Sequence, residues 1–165
     1  MKRAIALIGM AGSGKTTVGR VLAPLVGMPC VDTDERIEQK CGRTIADIFA
    51  CEGEAYFRGL ESEEMRALCD TPCIMSLGGG AVINEDAMRA VKAAAYVVWV
   101  RTGLSTCLAR VTGDTARPLA ARTQELYQKR EPLYRAFADL TVDADALSPT
   151  QIATVIYGAW KKENG

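Results

Sequence analysis

The stretch Gly9-Met10-Ala11-Gly12-Ser13-Gly14-Lys15-Thr16 matches the pattern G-x-x-x-x-G-K-[ST] at every fixed position. The apolar run at positions 4–8 before it is typical of a buried strand, and positions 17–26 after it carry apolar residues at helical spacing. Strand, glycine loop and helix in this order form a phosphate cradle. Glycine lets consecutive backbone N–H groups point at one anion, and the helix adds its positive N-terminal end. The stretch therefore predicts a nucleoside triphosphate site.

The loop residues have separate expected roles. The ATP phosphates are expected to lie against the cradle formed by Gly12, Ser13, Gly14, Lys15, Thr16 and Thr17. The Lys15 ammonium is placed to reach the β- and γ-phosphates, and the Thr16 hydroxyl is placed to ligate Mg²⁺. A glycine turn with an incidental lysine is the alternative, and the flanking strand and helix argue against it. The loop alone does not specify the phosphate acceptor.

Length and composition limit the class of protein. A chain of 165 residues predicts a single domain over positions 1–165, with a sizeable core. Twenty basic and 20 acidic residues balance, so no nucleic-acid or membrane surface is indicated. The first apolar run is too short for a signal peptide or a spanning helix, which favours a cytoplasmic protein. No long exposed apolar face stands out, and this favours a monomer.

The residue types also limit the chemistry. The chain has no histidine, and none of its six cysteines is paired as C-x-x-C, which argues against a structural zinc site. Without histidine there is no Ser-His or Cys-His nucleophile. Acid–base work is therefore left to carboxylates, to lysine or to no residue at all, and the cysteines are expected to be reduced thiols.

Further along the chain, apolar patterns predict strands that alternate with helices. Strands are expected at positions 28–31, 73–77, 96–100 and 140–142, and helices at 34–40, 45–51, 54–69, 85–94, 104–111, 125–138 and 150–161. Such alternation is typical of a parallel sheet with helices on both faces. The strand at 73–77 runs directly into Gly78-Gly79-Gly80, which indicates a close approach of the backbone to another group.

Asp32 and Asp34 follow the second predicted strand, at the sheet edge where parallel sheets bind ligands. On an extended segment these two carboxylates point to opposite sides, so we expect them to have different roles. One could hold Mg²⁺, and the other could face an acceptor hydroxyl as base or orienting group. A solvated turn followed by a helix N-cap at Asp34 is the alternative.

Arginine is concentrated late in the chain. Six arginines and Lys129 lie between Arg101 and Arg135, against three carboxylates. Arginine binds phosphate and carboxylate in a bidentate manner, so this imbalance predicts a cationic lid over an anionic site. The segment 113–119 is predicted to be a mobile loop, where Arg117 could close over the transferring phosphate. A solvated helix face is the alternative, and it is the better account of Arg101, Arg122 and Arg135.

These motifs together resemble those of the shikimate kinases, in the nucleoside-monophosphate-kinase-like branch of the P-loop fold. The matching stretches are the loop 9–17, Asp32-Thr33-Asp34, positions 42–49, Gly53-Glu54, Phe57-Arg58 with Glu61, Gly78-Gly79-Gly80, Arg117-Pro118-Leu119, and Arg130 with Pro132 and Tyr134. They cover nearly the whole chain in the order of the family. The resemblance implies a three-layer α/β fold whose five-stranded parallel sheet has the order 2-3-1-4-5. It also implies a substrate-binding segment at about 33–61 and a lid at about 112–125.

The resemblance also implies an activity and residue roles. The chain would transfer the γ-phosphoryl of ATP to the 3-hydroxyl of shikimate, in aromatic amino acid biosynthesis, with Mg²⁺ held on the side of Thr16 and Asp32. Five positions of this chain resemble the residues that hold shikimate in the family: Asp34, Arg58, Gly79, Gly80 and Arg130. Asp34 also resembles the group that orients or deprotonates the hydroxyl. Lys15 and Arg117 resemble the phosphate-neutralising groups, and Arg110 one that stacks on adenine.

Two stretches depart from the family pattern. The segment between Arg117 and Arg130 is short for the family, with Ala120 in place of a larger apolar residue. After the last predicted strand, Asp143-Ala144-Asp145 offers no arginine near the adenine. The alternatives that remain are a kinase for gluconate or a nucleoside monophosphate, and a relative that binds nucleotide without catalysis.

Overall fold

The fold was analysed in a computed structural model that describes residues 1–110 and 116–165, with only the backbone described for 116–120. The strands are β1 (Ala4–Ile8), β2 (Cys30–Asp32), β3 (Ile74–Ser76), β4 (Ala95–Arg101) and β5 (Leu140–Asp143). The helices are α1 (Lys15–Val26), α2 (Thr33–Cys41), α3 (Ile45–Glu52), α4 (Glu54–Leu68), α5 (Glu85–Ala94), α6 (Leu104–Arg110), α7 (Ala116–Phe137) and α8 (Pro149–Asn164), with a 3₁₀ turn at Ala81–Ile83.

The strands of the described chain form one parallel sheet in the order β2-β3-β1-β4-β5. β1 is central, pairing Ile5 with Ile74 of β3 on one side and with Tyr96 of β4 on the other. All five residues of β1 are buried, as a parallel strand covered on both faces requires. The expected three-layer α/β fold and the strand order 2-3-1-4-5 are confirmed.

Alternate residues of β1 face two separate cores. Ile5 and Leu7 face the core formed with α1 and α8, in which Leu22 and Ile156 are completely buried. Ala4, Ala6 and Ile8 face the other core, to which α4, α5 and α7 contribute. The apolar residues of the sequence thus divide between two helical layers according to strand period. No helix in the described ranges is long and apolar enough to cross a membrane.

A smaller cluster holds α2, α3 and α4 together at one end of the sheet. Its buried residues are Ile37, Ile48 and Phe57. Glu64, which is 4% exposed, ties α4 to α2 through ion pairs with Arg36, at 2.7 Å, and with Lys40. These helices include the predicted segment 33–61, so Asp34 and Arg58, two of the residues expected to hold the acceptor, lie on a helical subassembly with its own small core.

The structure differs from the predicted boundaries most clearly in α7. The sequence pattern places a loop over 113–119 and a helix from 125, whereas the backbone is helical from Ala116. Pro118 is compatible with helix there, because the first helical turn has N–H groups without intrahelical partners. Of the predicted lid at 112–125, residues 112–115 lie outside the described residues. The Arg117 side chain lies outside them as well.

Close packing between α1 and β2 gives a stability prediction. A Cβ built on Gly19 would lie 2.6 Å from the Cys30 Sγ, and no other atom lies closer than 3.4 Å. We expect Gly19→Ala to lower the melting temperature, because the methyl group collides with the thiol. In a Cys30→Ala background the same change should raise stability by about 1 kcal/mol, the gain in helix propensity.

Urea unfolding of the four proteins in this double-mutant cycle measures the coupling. Equal destabilisation by Gly19→Ala in both backgrounds would show that the Cys30 contact is not its cause.

Candidate active site

A cavity of about 280 Å³ opens at the carboxyl ends of β1, β2 and β3. The phosphate loop after β1, the start of α2 after β2 and the glycines after β3 form its walls. The polar residues that line it are Lys15, Thr16, Thr17, Asp32, Asp34 and Ser76. In open parallel sheets, ligands bind at this edge of the strands, so the predicted phosphate and carboxylate groups meet where the topology favours a site.

The phosphate loop has the backbone expected from its glycines. Gly12 and Gly14 have φ values of 77° and 86°, in the region that favours glycine. Gly9 has φ 148°, and a Cβ on it would lie 2.5 Å from the Val100 carbonyl oxygen of β4. The loop therefore uses glycine both for backbone conformation and for close contact with the neighbouring strand.

Lys15 is folded back onto this loop. Its Nζ donates to the carbonyl oxygens of Gly9, at 2.8 Å, and Met10, at 2.9 Å. The side chain is 7% exposed, and burial lowers its pKa to about 8, although Asp34 and Asp32 act in the opposite direction. An ammonium buried with only neutral acceptors is well suited to a phosphate, because a negative charge relieves its desolvation.

Thr16, Asp32 and Ser76 form a polar cluster beside the lysine. The Thr16 hydroxyl donates to Asp32 Oδ2 at 2.5 Å and lies 2.8 Å from Ser76 Oγ. Carboxylate and hydroxyl oxygens are the hard ligands that Mg²⁺ prefers. Among the described residues, no group of three His, Cys, Asp or Glu side chains could hold a metal. A metal here would therefore take most of its ligands from phosphate and water.

The placement of the two aspartates corrects one expectation. Asp32 ends β2 and is the N-cap of α2, where its Oδ1 accepts from the Glu35 N–H at 3.1 Å. Asp34 lies in the first turn of α2, so the chain between them is not extended. Both therefore line the same cavity instead of opposite faces. The proposed helix cap is real, but Asp32 provides it and not Asp34.

Asp34 is poorly compensated in this position. Its Oδ1 is buried and has no hydrogen-bond partner among the described residues. Burial, followed by the nearby charge of Asp32, raises the pKa of Asp34, while Lys15 opposes this shift. A carboxylate with an unused oxygen and a raised pKa can accept a hydrogen bond, or a proton, from a ligand hydroxyl.

The three glycines after β3 are needed for space and not for positive φ. A Cβ on Gly78 would lie 2.9 Å from both Asp34 Oδ1 and Glu61 Oε2. A Cβ on Gly79 would lie 2.8 Å from the backbone nitrogen of Ala11 in the phosphate loop. The backbone after β3 therefore contacts the two carboxylates and the phosphate loop directly.

Gly80 forms the floor beneath Arg58. A Cβ on Gly80 would lie 2.6 Å from the Arg58 Cζ, so the guanidinium rests directly on this residue. Arg58 Nη1 donates to Glu61 Oε1 at 2.8 Å, and Asn84 Nδ2 donates to the same oxygen at 3.3 Å. Glu61 is fully buried, and burial raises its pKa although Arg58 opposes the shift. Glu61 thus fixes the orientation of Arg58.

Arg130 reaches the same place from α7. It is 8% exposed, and its Nη1 lies 3.3 Å from the Cβ position of Gly79. Buried atoms without a hydrogen-bond partner are Asp34 Oδ1, Arg58 Nε, Glu61 Oε2 and Arg130 Nε, together with the remote Trp160 Nε1, within the described ranges. Four of these five belong to one site, which is therefore built for a polar ligand.

Two arginines, Arg110 and Arg117, are expected on the nucleotide side of the site. The Arg110 guanidinium donates to the Gly12 carbonyl oxygen of the phosphate loop, which places it beside the loop at the end of α6. Its predicted stacking on adenine stays a prediction. Arg117 lies on the helical backbone of α7, and its side chain is not among those described.

Two polar residues that contact the site have no signal in the sequence. Ser76 ends a buried strand, where a serine carries no signal of its own, and its contact with Thr16 crosses 60 positions. Asn84 directly precedes the predicted helix at 85–94 and belongs to no motif, although its side chain donates to Glu61 and to the Arg58 carbonyl oxygen. Both contacts join segments that are distant in sequence, so no local pattern marks them.

Comparison with known proteins agrees with this geometry. A family model described as shikimate kinase matches residues 11–160. The chain belongs to the shikimate kinase family. A shikimate kinase from Thermobifida fusca is 43% identical over 156 residues, covering 91% of this chain and 90% of that protein. A second, from Persephonella marina, is 40% identical over 161 residues, covering 94% and 98%.

The fold agrees as well. The structure of a shikimate kinase from Acinetobacter baumannii in complex with shikimate has a TM-score of 0.88 and 34% identity, covering 97% of this chain and 93% of that one. The site described above therefore lies on a fold shared along nearly its whole length with the shikimate kinase family.

The buried ammonium gives a pH prediction for this family member. Since Lys15 has a pKa of about 8 in the free protein and phosphate would raise it, ATP binding takes up a proton at high pH. Affinity should be nearly constant from pH 7 to 7.5 and fall above pH 8, by at most about tenfold per pH unit. Calorimetry without divalent metal measures it, with Lys15→Met as the control.

The control should bind weakly at every pH with no such decline. A wild-type affinity that stays level to pH 9.5 would show that Lys15 does not contact the phosphates in its charged form.

Contact between Gly80 and Arg58 gives a second prediction. Gly80→Ala should displace the guanidinium and raise the KM for the phosphoryl acceptor at least tenfold, while the Kd for ATP stays unchanged. Gly59→Ala is the matched control, because Gly59 adjoins Arg58 on α4 and a Cβ there meets nothing within 4 Å. Steady-state kinetics of both variants would decide: an unchanged KM in Gly80→Ala would mean that this contact does not position Arg58.

Proposed function

We propose that this protein transfers the γ-phosphoryl group of ATP to the 3-hydroxyl of shikimate, giving shikimate 3-phosphate and ADP in the pathway to the aromatic amino acids. Membership of the shikimate kinase family supports the reaction. The arrangement of two cations and two carboxylates with unused atoms around Gly78-Gly79-Gly80 is the observation that carries it. A small acceptor with one carboxylate and several hydroxyls offers complementary groups to that set.

The acceptor is held between α4, α7 and the glycines. Arg58 and Arg130 bind its carboxylate, because guanidinium groups match a carboxylate in geometry and charge. Asp34 and the backbone N–H groups of Gly79 and Gly80 bind its hydroxyls. The raised pKa of Asp34, caused first by burial, suits it to orient the attacking hydroxyl and to accept its proton.

The donor is held by the phosphate loop. The phosphates contact Gly12, Ser13, Gly14, Lys15, Thr16 and Thr17. Arg110, which lies beside this loop, stacks on the adenine. Lys15 leaves the carbonyl oxygens of Gly9 and Met10 for the β- and γ-phosphates, whose negative charge offsets the cost of burying the ammonium. Arg117 brings a second positive charge to the transferring group, where charge stabilisation and positioning dominate the barrier.

The divalent metal is Mg²⁺, held on the side of Thr16 and Asp32. The chemistry of this donor set fits it, because one carboxylate and two hydroxyls leave room for phosphate and water ligands. When bound, Mg²⁺ neutralises charge on the phosphates. The enzyme is a cytoplasmic monomer that requires no nucleic-acid or membrane partner. A single domain over 1–165 carries the whole site, with acceptor segment 33–61 and lid 112–125.

The test is ADP release with Mg·ATP and a panel of acceptors: shikimate, gluconate, CMP and AMP. We expect turnover with shikimate alone, since gluconate lacks the rigid ring and the nucleotides carry a base for which the acceptor side has no partner. Turnover with gluconate or a nucleotide instead would replace the proposed acceptor. Binding of ATP with no turnover on any acceptor would favour a non-catalytic relative.

In the same assay, Asp34→Asn is expected to lower kcat at least a hundredfold with both substrates saturating. The Kd for ATP should change far less than kcat, because Asp34 is expected to contact the acceptor and acts on Lys15 only through its charge. A kcat equal to that of the wild type would remove Asp34 from the reaction.

A further inference from the structure

Tyr134 lies between the two halves of the site, and neither half has so far required it. The side chain is 1% exposed and projects from α7. Its hydroxyl donates to the Gly79 carbonyl oxygen at 2.5 Å and lies 3.6 Å from the Met10 Sδ. The ring packs on Trp99 of β4, with ring centroids 5.7 Å apart. Tyr134 therefore touches the phosphate loop, the glycines and the sheet at once.

Its partner belongs to a peptide group whose orientation matters. The Gly79 carbonyl and the Gly80 N–H are parts of one planar trans peptide, so they point in opposite directions. Since the Tyr134 hydroxyl holds the carbonyl, the Gly80 N–H is directed away from α7. Within the described part of the chain this N–H donates no hydrogen bond, and it is available to a ligand.

The peptide groups before and after the Gly79–Gly80 peptide are held by backbone hydrogen bonds, whereas the Gly79–Gly80 peptide is not. The Gly78 carbonyl oxygen accepts from the Ala81 N–H at 3.0 Å, and the Gly80 carbonyl oxygen accepts from the Ile83 N–H at 3.1 Å. The Gly79–Gly80 peptide lies between these two fixed groups. With glycine on both sides, steric barriers to its rotation are small, so it needs a separate anchor.

The same helix turn carries Arg130. Arg130 lies four residues before Tyr134 on α7, so both side chains project from the same side of the helix. Arg130 Nη1 and the Tyr134 hydroxyl both approach Gly79. One helix therefore fixes both an acceptor-binding guanidinium and the peptide beside it.

We propose that Tyr134 is a positioning residue for the acceptor: its hydroxyl holds the Gly79–Gly80 peptide so that the Gly80 N–H faces the acceptor. This inference rests on the proposed function, because it presumes that the acceptor binds against the glycines. Burial raises the pKa of Tyr134 well above its usual value, although Arg130 opposes the shift. The phenol therefore remains a donor throughout the range of a kinase assay.

The alternative is that Tyr134 only packs in the core. A variant that lacks the hydroxyl but keeps the ring distinguishes this role from positioning of the peptide. Tyr134→Phe keeps the ring on Trp99 and removes the hydroxyl, which anchors the peptide and also interacts with Arg130. The KM therefore tests the hydroxyl as a whole, and the Gly80 amide signal tests the anchor. We expect the KM for shikimate to rise about tenfold, while the KM for ATP and kcat change less than twofold. Tyr127→Phe is the matched control on the same helix, since no hydrogen bond is made by its hydroxyl with any described residue. It should leave all three constants unchanged.

A second readout does not depend on shikimate. With glycine labelled by ¹⁵N, the Gly80 amide signal of the ligand-free protein should shift or broaden in Tyr134→Phe and stay in place in Tyr127→Phe. An unmoved Gly80 signal would overturn the proposal, as would an unchanged KM for shikimate or an equal rise of both KM values. If the wild type does not phosphorylate shikimate, the proposed function fails, and the amide signal still reports whether Tyr134 holds the peptide.

Discussion

Direct backbone contact between Gly79 and Ala11 is the constraint on which the site depends. A Cβ on Gly79 would lie 2.8 Å from the Ala11 nitrogen, so no side chain separates the phosphate loop from the acceptor segment. Phosphoryl transfer requires the attacking and leaving oxygens to be nearly in line and close together. Glycines at the ends of β1 and β3 allow this approach, and the pairing of the two strands in the sheet keeps it fixed.

Three positively charged side chains are concentrated around this contact between the phosphate loop and the glycines. The whole chain has as many basic as acidic residues. The site, however, holds Lys15, Arg58 and Arg130 at its centre, each with little solvent around it. Glu61 pairs with Arg58 Nη1 and orients the guanidinium, Glu54 lies 3.5 Å from Nη2, and Arg58 Nε has no partner among the described residues. Lys15 has only neutral partners, so its field acts on the phosphates without competition from a paired carboxylate.

The sequence predicts the phosphate loop and the alternating elements because their signals are local: glycine conformation, apolar period and capping. The strand order and the residue roles came from the resemblance and not from the residues alone. Asp32 and Asp34 were misplaced because a cap turns the chain from strand to helix within one residue. Residues 116–119 were predicted as loop because proline and small residues are also compatible with a first helical turn. Ser76, Asn84 and Tyr134 act through partners at least 23 positions away, which no local pattern reveals.

Buried polar groups without hydrogen-bond partners connect the stability of the free protein to its affinity for a ligand. Asp34 Oδ1, Glu61 Oε2 and the Nε atoms of Arg58 and Arg130 lack hydrogen bonds in the described structure, and such groups lower the stability of a fold. The two large hydrophobic cores on either face of the sheet offset this cost. A ligand that supplies the missing partners regains that free energy on binding. The unfavourable arrangement in the free protein thus becomes affinity for one polar, anionic acceptor, and it selects against ligands that leave any of the four unmatched.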